Sequence, residues 1–548
     1  MPRGVAMMTI DVSLQVSRMP STIRLRLLQR VFHAGALEDN REAIRRAIHA
    51  EGNHRVDVVV TPADALCGFA PEDLLGRTDF LAACDAALHD LAAVDPHATV
   101  LVGAPVGTMA KGVAVLRDGA VSLPADARER EAPRLLDVGG VRIAVLSGDP
   151  SDAALVNARE AGTALLIVLE AVPYVIGANT ARRECLAALA RRNGFAIAWV
   201  NGVGGRDEDV VEGASLLIDA DGSVVAEAAA FIDLDLHAEF DPATRRFSAV
   251  DWPTRETDDV ASLYACLVRG IRDYVDRNGF PGVVLGLSGG IDSALVLALA
   301  VDALGAQRVR ALMLPSRHTS PLSLRLADEQ AAGLGVRCDT LPIEPPRDSL
   351  RATLAPVVAG HDTALAEENL QARIRGILLM ALSNSSGDLL LSTGNKSEVA
   401  VGYATLYGDM CGGYAPLKDV YKTLVYRLAR WRNGASVVGD AGIADSGKTP
   451  IPVAVIERAP SAELRDGQTD QDSLPAYDEL DAILEYFVEG GESPDELVAR
   501  GFDAATVRRV VRLVRRSEFK RRQAAPGPTV TRRAFARGWR YPISSGWD

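Results

Sequence analysis

The segment Leu285 to Leu295 (LGLSGGIDSAL) gathers the densest chemistry in the chain. It follows an apolar run and opens a helical one. Ser288, Gly289 and Gly290 predict a tight turn whose backbone N–H groups point at an anion, and the helix start behind them adds roughly half a positive charge. Glycines let a phosphate approach the backbone closely, and Ser288 and Ser293 add hydroxyl donors. The GK[ST] ending of a Walker loop is missing, and the spacing is not GxGxxG. A carboxylate inside a phosphate loop repels its ligand unless a cation bridges them, so Asp292 is a candidate Mg2+ ligand. The six cysteines include no CxxC pair, which excludes a disulfide scaffold and a classical zinc site and points to a reducing compartment.

The elements that must position this loop read as two large α/β units within 548 residues. In the first, Ile23 to Gln29 and Val56 to Pro62 read as strands. NREAIRRAIHAEG between them is an amphipathic helix with Ala43, Ile44, Ala47 and Ile48 on one face. VRIAVLSGD, TALLIVLEA and FAIAWVNGVGG are further apolar strands separated by helix-length segments, and ASLLIDADGSVVAEA predicts a hairpin turning at Asp221–Gly222. The polar stretch from His237 to Asp259, with two prolines and clustered charge, reads as a linker. Beyond it, VASLYACLVRGIRDYVDRNG is a helix ending at Gly279. GVVLGLSGGIDSALVLALAVDAL, ALMLP and DLLLSTGNKSE then give strand, loop and helix with parallel strands. The expected divisions are an extension over 1–22, a first domain over 23–236, a linker over 237–256 and a second domain over 257–548.

Residues 1–22 lack a continuous apolar run, so no signal peptide is expected. No apolar run reaches the ~20 residues that span a bilayer, so no membrane association is expected. The formal charge of −13 argues against nucleic acid as a partner. Against that background Gly501 to Asp548 carries twelve Lys/Arg and three Asp/Glu. It reads either as a solvated helix with a basic tail or as a tail closing over a multiply phosphorylated ligand.

SGGIDS resembles the pyrophosphate loop of the N-type ATP pyrophosphatases, which adenylate a substrate for attack by a nucleophile. EENLQARIRG (Glu367 to Gly376), LSTGNKSEVAVGYATLYGDMCGGYAPLKDVYKT (Leu391 to Thr423) and FKRRQ (Phe519 to Gln523) narrow the resemblance to the NAD synthetases, over nearly all of 257–548. It implies a doubly wound parallel-sheet domain that amidates deamido-NAD with ATP and Mg2+. Gly286, Ser288, Gly289, Gly290, Asp292 and Ser293 would then hold ATP phosphates, with Thr393, Lys422 and Ser461 also on the ATP side. Asn369, Arg373, Tyr403, Leu406 and Asp409 would meet deamido-NAD, and Lys520 its phosphates. Asp292, Glu398 and Lys422 would be the catalytic set. The two carboxylates, on separate loops, can share a Mg2+ that also bridges phosphate oxygens. Arg373 and Arg375 supply fork-shaped donors, although ion pairing or capping is the simpler reading for Arg375 and Lys418. PSAELRDGQTDQDSLP (Pro460 to Pro475) reads as a disordered loop or, by the resemblance, as a mobile cover.

The first unit resembles the carbon–nitrogen hydrolase (nitrilase) fold, an α/β sandwich, and the glutaminase domain of glutamine-dependent NAD synthetases. GALEDNREAI, TPADALCGFAPEDLL, YVIGANTARRECL and VNGVGGRDEDVVEGASLLIDADG carry that likeness. The resemblance implies a Glu–Lys–Cys triad that frees ammonia from glutamine. Here the Glu position is Ala63 and the Cys position is Ser147. No Lys occurs from Ala125 to Pro133, and Lys111 is the only Lys in the first 250 residues. Asp64, adjoining Ala63, would point to the opposite face if the segment is a strand. Cys67, Cys84 and Cys185 remain as thiols and read better as small buried hydrophobes.

The resulting expectation is a cytoplasmic homo-oligomeric ligase. It would use free ammonia, an external source being one supply, with a glutaminase domain kept for architecture. Three other readings stay open at this point: glutamine hydrolysis by an unrecognised nucleophile, amidation of another carboxylic acid, and a non-catalytic scaffold.

Overall fold

The computed structural model describes residues 22–49, 56–95, 98–124, 132–248, 250–254, 258–434, 449–535 and 537–547. The extension expected over residues 1–22 therefore lies almost wholly outside the described residues.

The N-terminal unit is built on two stacked sheets. The first joins β1 (Ile23–Gln29), β2 (Val58–Val60), β3 (Thr99–Val106), β4 (Met109–Arg117) and β5 (Ala120–Ser122). The second takes β6 (Arg134–Val138), β7 (Val141–Ser147), β8 (Leu165–Glu170), β9 (Ala196–Asn201), β12 (Leu216–Ile218) and β13 (Val224–Glu227), with the hairpin of β10 (Val203–Arg206) and β11 (Asp209–Glu212) set apart. Strand alternation explains why each reads as one apolar run. In β8, Leu165, Ile167 and Leu169 face the space between the sheets. Leu166 and Val168 face the outer helices Asp152–Glu160 and Ala178–Asn193. The result is a four-layer α-β-β-α sandwich, as the nitrilase-like reading implies. The hairpin predicted at Asp221–Gly222 forms, with Gly222 N–H donating to the Asp219 carbonyl at 2.9 Å. The helix Leu37–His49 buries Ile44 and Ala47 fully and Ala43 and Ile48 partly, as its pattern predicts.

The expected linker is partly sheet. β14 (Leu234–Asp241) pairs antiparallel with β1, from Ile23 opposite Phe240 to Gln29 opposite Leu234, and β15 (Arg246–Ser248) pairs with β14. Dense charge masks the alternation that buries Leu236, Ala238, Phe240 and Phe247. Trp252 also packs into the sandwich and donates its indole N–H to the His237 carbonyl at 2.8 Å. The first seven-stranded sheet is therefore completed from a stretch whose composition reads as a connection.

The C-terminal unit holds a parallel four-stranded sheet in the order β18–β17–β16–β19: Arg337–Thr340, Val309–Met313, Val283–Gly286 and Leu389–Leu391. Its faces alternate too. Val283 and Leu285 pack with the helix Ile291–Leu304, and Val284 and Leu390 pack beneath the helix Ala364–Ser386. The chain leaves β16 for β17 on one side and returns from β18 to β19 on the other, so the crevice between the ends of β16 and β19 is the switch point where doubly wound sheets take ligands.

The two units share a core. Tyr174, Val210 and Phe231 from the first join Leu263, Leu267 and Tyr414 of the second. The helix Asp259–Arg277 lies on the β10–β11 hairpin, where the Asp273 carboxylate accepts from Gly205 N–H at 2.6 Å.

Candidate active site

The loop after β16 and the loop after β19 meet at the switch point. In the first, Gly289 has φ +77°, and a Cβ there would stand 2.4 Å from the Ser323 carbonyl oxygen. Only glycine fits that backbone. The Ser288 and Ser293 hydroxyls lie 3.0 Å apart, and Ser293 Oγ accepts from Ser288 N–H at 3.2 Å and donates to the Gly290 carbonyl at 3.1 Å. These bonds hold the turn open at the start of the helix Ile291–Leu304, whose cap Gly290 brings no side chain to the first amides.

In the second loop, Asn395 caps the helix Lys396–Val401 by accepting from Glu398 N–H at 3.1 Å and donates Nδ2 to Asp292 at 2.9 Å. Each residue from Asn395 to Glu398 then makes a separate cross-link. Lys396 is fully buried, with Nζ 2.7 Å from Asp419, 2.5 Å from Glu489 and 2.6 Å from Thr531 Oγ1. Ser397 donates to Asp481 and accepts from Lys422 N–H. Lys422 Nζ lies 2.5 Å from Asp292 Oδ2 and 3.0 Å from Glu398 Oε1, so one ammonium clasps both predicted carboxylates. Burial works against that ammonium, but Asp292 and Glu398 overcome it and hold it above its usual range. Burial pushes the Glu398 carboxyl upward, and Asp292 adds to that against Lys422.

Two adjoining cavities open here. The larger, about 260 Å³, is an apolar slot between Leu312, Leu314, Leu324, Leu379 and Val455, with Arg375 and Arg458 on its walls. Ser288, Gly290, Thr393, Ser461 and Asp409 line both it and a second cavity of about 190 Å³. The second adds Asp292, Ser293, Glu398, Tyr403, Lys418, Lys422 and Asp470. Asp409 opens onto the cavities, yet it sits deep enough in the protein that burial pushes its carboxyl up to about 6 against the Thr405 N–H and Lys520.

The remaining expected ligands brace this wall. The Asn369 side-chain oxygen accepts from Thr405 Oγ1 at 2.9 Å, Arg373 Nε donates to the Leu406 carbonyl at 3.3 Å, and Lys520 Nζ donates to the carbonyls of Gly402 and Ala404 at 2.8 and 2.6 Å. All three thus grip the loop 402–409, and none of them, nor Leu406, lines either cavity. Ser461 spends its hydroxyl on the Gln468 carbonyl. Residues 460–475, one reading of which was disorder, form a folded cover with Tyr477 donating to Asp470 at 2.8 Å. Part of the basic tail is tied to the rest of the protein, with Arg521 donating to the Ala400 carbonyl and Arg537 paired with Asp209. Lys418 pairs with Glu208, as its simpler reading held, but Arg375 has no ion-pair partner among the described residues and lines the slot instead. Sequence reasoning also missed Lys396, Asp470 and Tyr477. Lys396 left a signal, adjoining Glu398 in the long motif, but nothing in composition marks a lysine for burial.

Comparison with known proteins decides the family. The NAD synthase model matches residues 263–524. The glutamine-dependent NAD(+) synthetase of Xanthomonas campestris is 47% identical over 96% of this chain and 98% of its own length. The chain belongs to the glutamine-dependent NAD(+) synthetases. That of Acinetobacter baylyi is 40% identical over 96% of this chain and 99% of its own length. Among solved structures, the Acinetobacter baumannii synthetase in complex with ADP superposes with TM-score 0.74 at 37% identity, over 96% of this chain and 99% of that one. The Cytophaga hutchinsonii structure superposes at 0.79 with 19% identity, over 96% and 98%, which speaks to the fold. As a NAD(+) synthetase the chain is an ATP-using ligase.

In this synthetase the positions expected to hold a Glu and a Cys flank β8. Ala63 N–H donates to the Glu170 carbonyl at 3.2 Å, and Ser147 stands opposite Leu169. Ala63 lines a cavity of about 20 Å³ with Arg30, Arg206 and Arg277, which Ser147 does not reach. The Ser147 hydroxyl is buried with no hydrogen-bond partner. Asp64 lies past the end of β2 with φ +57°, so a turn, and not strand alternation, directs its side chain. Burial pushes the Cys67 thiol up, and the Cys84 thiol to about 11, so neither is a thiolate at neutral pH. Cys185, expected to be buried, is exposed on the helix Ala178–Asn193. Residues 125–131 and the side chain of Lys111 lie outside the described residues.

Proposed function

We propose that the chain amidates deamido-NAD to NAD(+) with free ammonia, in the cytoplasm and as a homo-oligomer. The observation that carries the nitrogen-donor reading is the pair Ala63 and Ser147 at the triad positions. A serine without an adjoining base is a weak nucleophile. The relatives bear the name glutamine-dependent, and this chain departs from the family pattern at these two places. No described helix is long and apolar enough to cross a membrane.

The nicotinate carboxylate of deamido-NAD attacks the α-phosphorus of ATP, and pyrophosphate leaves toward the free amides after Gly290. Ammonia then attacks the acyl carbon, AMP departs, and the nitrogen sheds a proton. Asp409, which lines both cavities, takes it in this reading. The slot beside Leu312 and Leu379 accommodates the adenine, and Arg375 faces the nucleotide's charge. Lys422 keeps two carboxylates together on the phosphate side, and Tyr403 closes the opposite wall. Asn369, Arg373 and Lys520 hold the loop, Leu406 included, that meets deamido-NAD. Asp292 and Glu398 suit Mg2+, which takes one or two carboxylates plus phosphate oxygens. When bound, that metal would supply charge neutralisation for the departing pyrophosphate.

The test supplies ATP, Mg2+ and deamido-NAD with either ammonium or ammonia-free glutamine. NAD(+) from ammonium alone is expected. Comparable rates from glutamine would overturn the donor reading, and no product from either would point to another acid.

A further inference from the structure

The smaller cavity contains two lysines, and their partners differ in origin. Lys422 is neutralised from within by Asp292 and Glu398. Lys418, 5% exposed, is neutralised by Glu208, which belongs to the other unit and does not line the cavity. Its Nζ lies 2.6 Å from Glu208 Oε1.

Glu208 is held in place from three sides. It sits in the turn between β10 and β11. Its carbonyl accepts from Thr529 N–H at 2.7 Å and Thr529 Oγ1 at 3.1 Å. Arg537 Nε stands 4.0 Å from its carboxylate while pairing chiefly with the adjoining Asp209. On the other side, Lys418 N–H donates to the Ala415 carbonyl at 3.1 Å, and Ala415 N–H donates to the Pro526 carbonyl at 2.8 Å. Lys418 thus stands in the cavity wall beside Ala415, Ala524 and Ala525, with Glu208 behind it.

We propose that Glu208 is a positioning residue for amide formation: from the N-terminal unit it holds and neutralises Lys418 in the wall of the adenylation cavity, keeping that wall receptive to ammonium. The proposal rests on the reading that ammonium feeds this site. At neutral pH nearly all free ammonia is ammonium, a cation. An unneutralised Lys418 would oppose its approach, while the anionic ATP and deamido-NAD would be attracted or unaffected. This sign pattern separates an electrostatic task from a structural one, which would weaken all substrates together. The N-terminal unit then serves the synthetase directly, whatever its own hydrolytic capacity.

The test measures KM for ammonium, ATP and deamido-NAD in the full chain with Glu208→Gln, which keeps shape and hydrogen bonding. Asp207→Asn, in the same turn and exposed, is the control. The Glu208→Gln variant is expected to raise the ammonium KM about 5- to 20-fold, the factor expected for one partly buried charge pair. The other two KM values should stay level or fall, and Asp207→Asn should leave all three unchanged. Adding Lys418→Met to Glu208→Gln removes the uncompensated charge and should return the ammonium KM to within about threefold of the parent. An ammonium KM within about twofold of the parent in Glu208→Gln, or a parallel rise of all three, overturns the proposal. A parent protein that makes no NAD(+) from ammonium overturns the underlying reading first, before any variant is compared.

Discussion

Asp409 shows how one side chain sets a pH dependence. Its surface opens onto both cavities, and desolvation by the protein around it pushes its carboxyl up to about 6, against the ~3.9 of a free aspartate. If it takes the proton from the attacking nitrogen, it must be ionised, so activity supported by it falls as pH drops through about 6. The ratio of kcat/KM for ammonium between the parent and Asp409→Asn should be constant above about pH 7 and shrink below about 6. The ratio cancels the change in free ammonia. The stability sign is opposite. A raised carboxyl contributes stability below the unfolded pKa of ~3.9 and loses it as pH rises through about 6. The melting temperature of Asp409→Asn should therefore gain on the parent over that window. Residue identities of this kind were legible where the motif bore them: Asp292, Glu398 and Lys422 converge as the resemblance implied. Lys396 and Arg375 were not legible, because their roles depend on what surrounds them. Lys396 is accepted into the interior by Asp419, Glu489, the Thr531 hydroxyl and two aromatic rings, Tyr421 and Phe535. Those partners come from distant stretches of chain.

Among the elements, the turn joining β16 to its helix is the one with least latitude. Gly289→Ala puts a Cβ into the Ser323 carbonyl and a side chain at φ +77°. The left-handed conformation alone costs about 1–2 kcal/mol, and the contact forces the turn away from the first helical amides. ATP binding should weaken at least about tenfold by calorimetry, with a smaller loss in melting temperature. Unchanged ATP affinity would show that the turn does not cradle phosphate. Elements with alternating or continuous apolar runs were legible to within a few residues, β1 and β7 among them. β14 and β15 were not, since Asp241, Thr244 and Arg245 form a turn whose polarity dominates the window. The disordered reading of 460–475 failed for a related reason. The order of that segment comes from buried polar links such as Tyr477 to Asp470, and composition records those side chains only as hydrophilic.

At the scale of the whole molecule, the stretch Pro526 to Arg533 stitches everything together. Ile176 N–H of the first unit donates to the Val530 carbonyl at 2.9 Å. Val530 N–H and Thr531 N–H donate to Asp419 at 2.7 and 2.8 Å, and Arg533 N–H donates to Glu489 at 2.8 Å. Deleting the residues after Ala525 would leave Lys396 without Thr531, and Asp419 and Glu489 without their amides. Buried groups left unpaired cost about 1–3 kcal/mol each. The shortened chain should melt well below the parent and lose synthetase activity even if its secondary structure survives by circular dichroism. Full activity after that deletion would show the stretch to be dispensable. This arrangement also fixes a timetable. The ribosome makes the sandwich first and the SGGIDS loop midway, but the segments that seat Lys396 and back the Glu208 hairpin emerge after every other part of the site. A growing chain therefore carries its nucleotide loop for much of its synthesis without a finished catalytic centre, and competence arrives in one late step rather than by degrees.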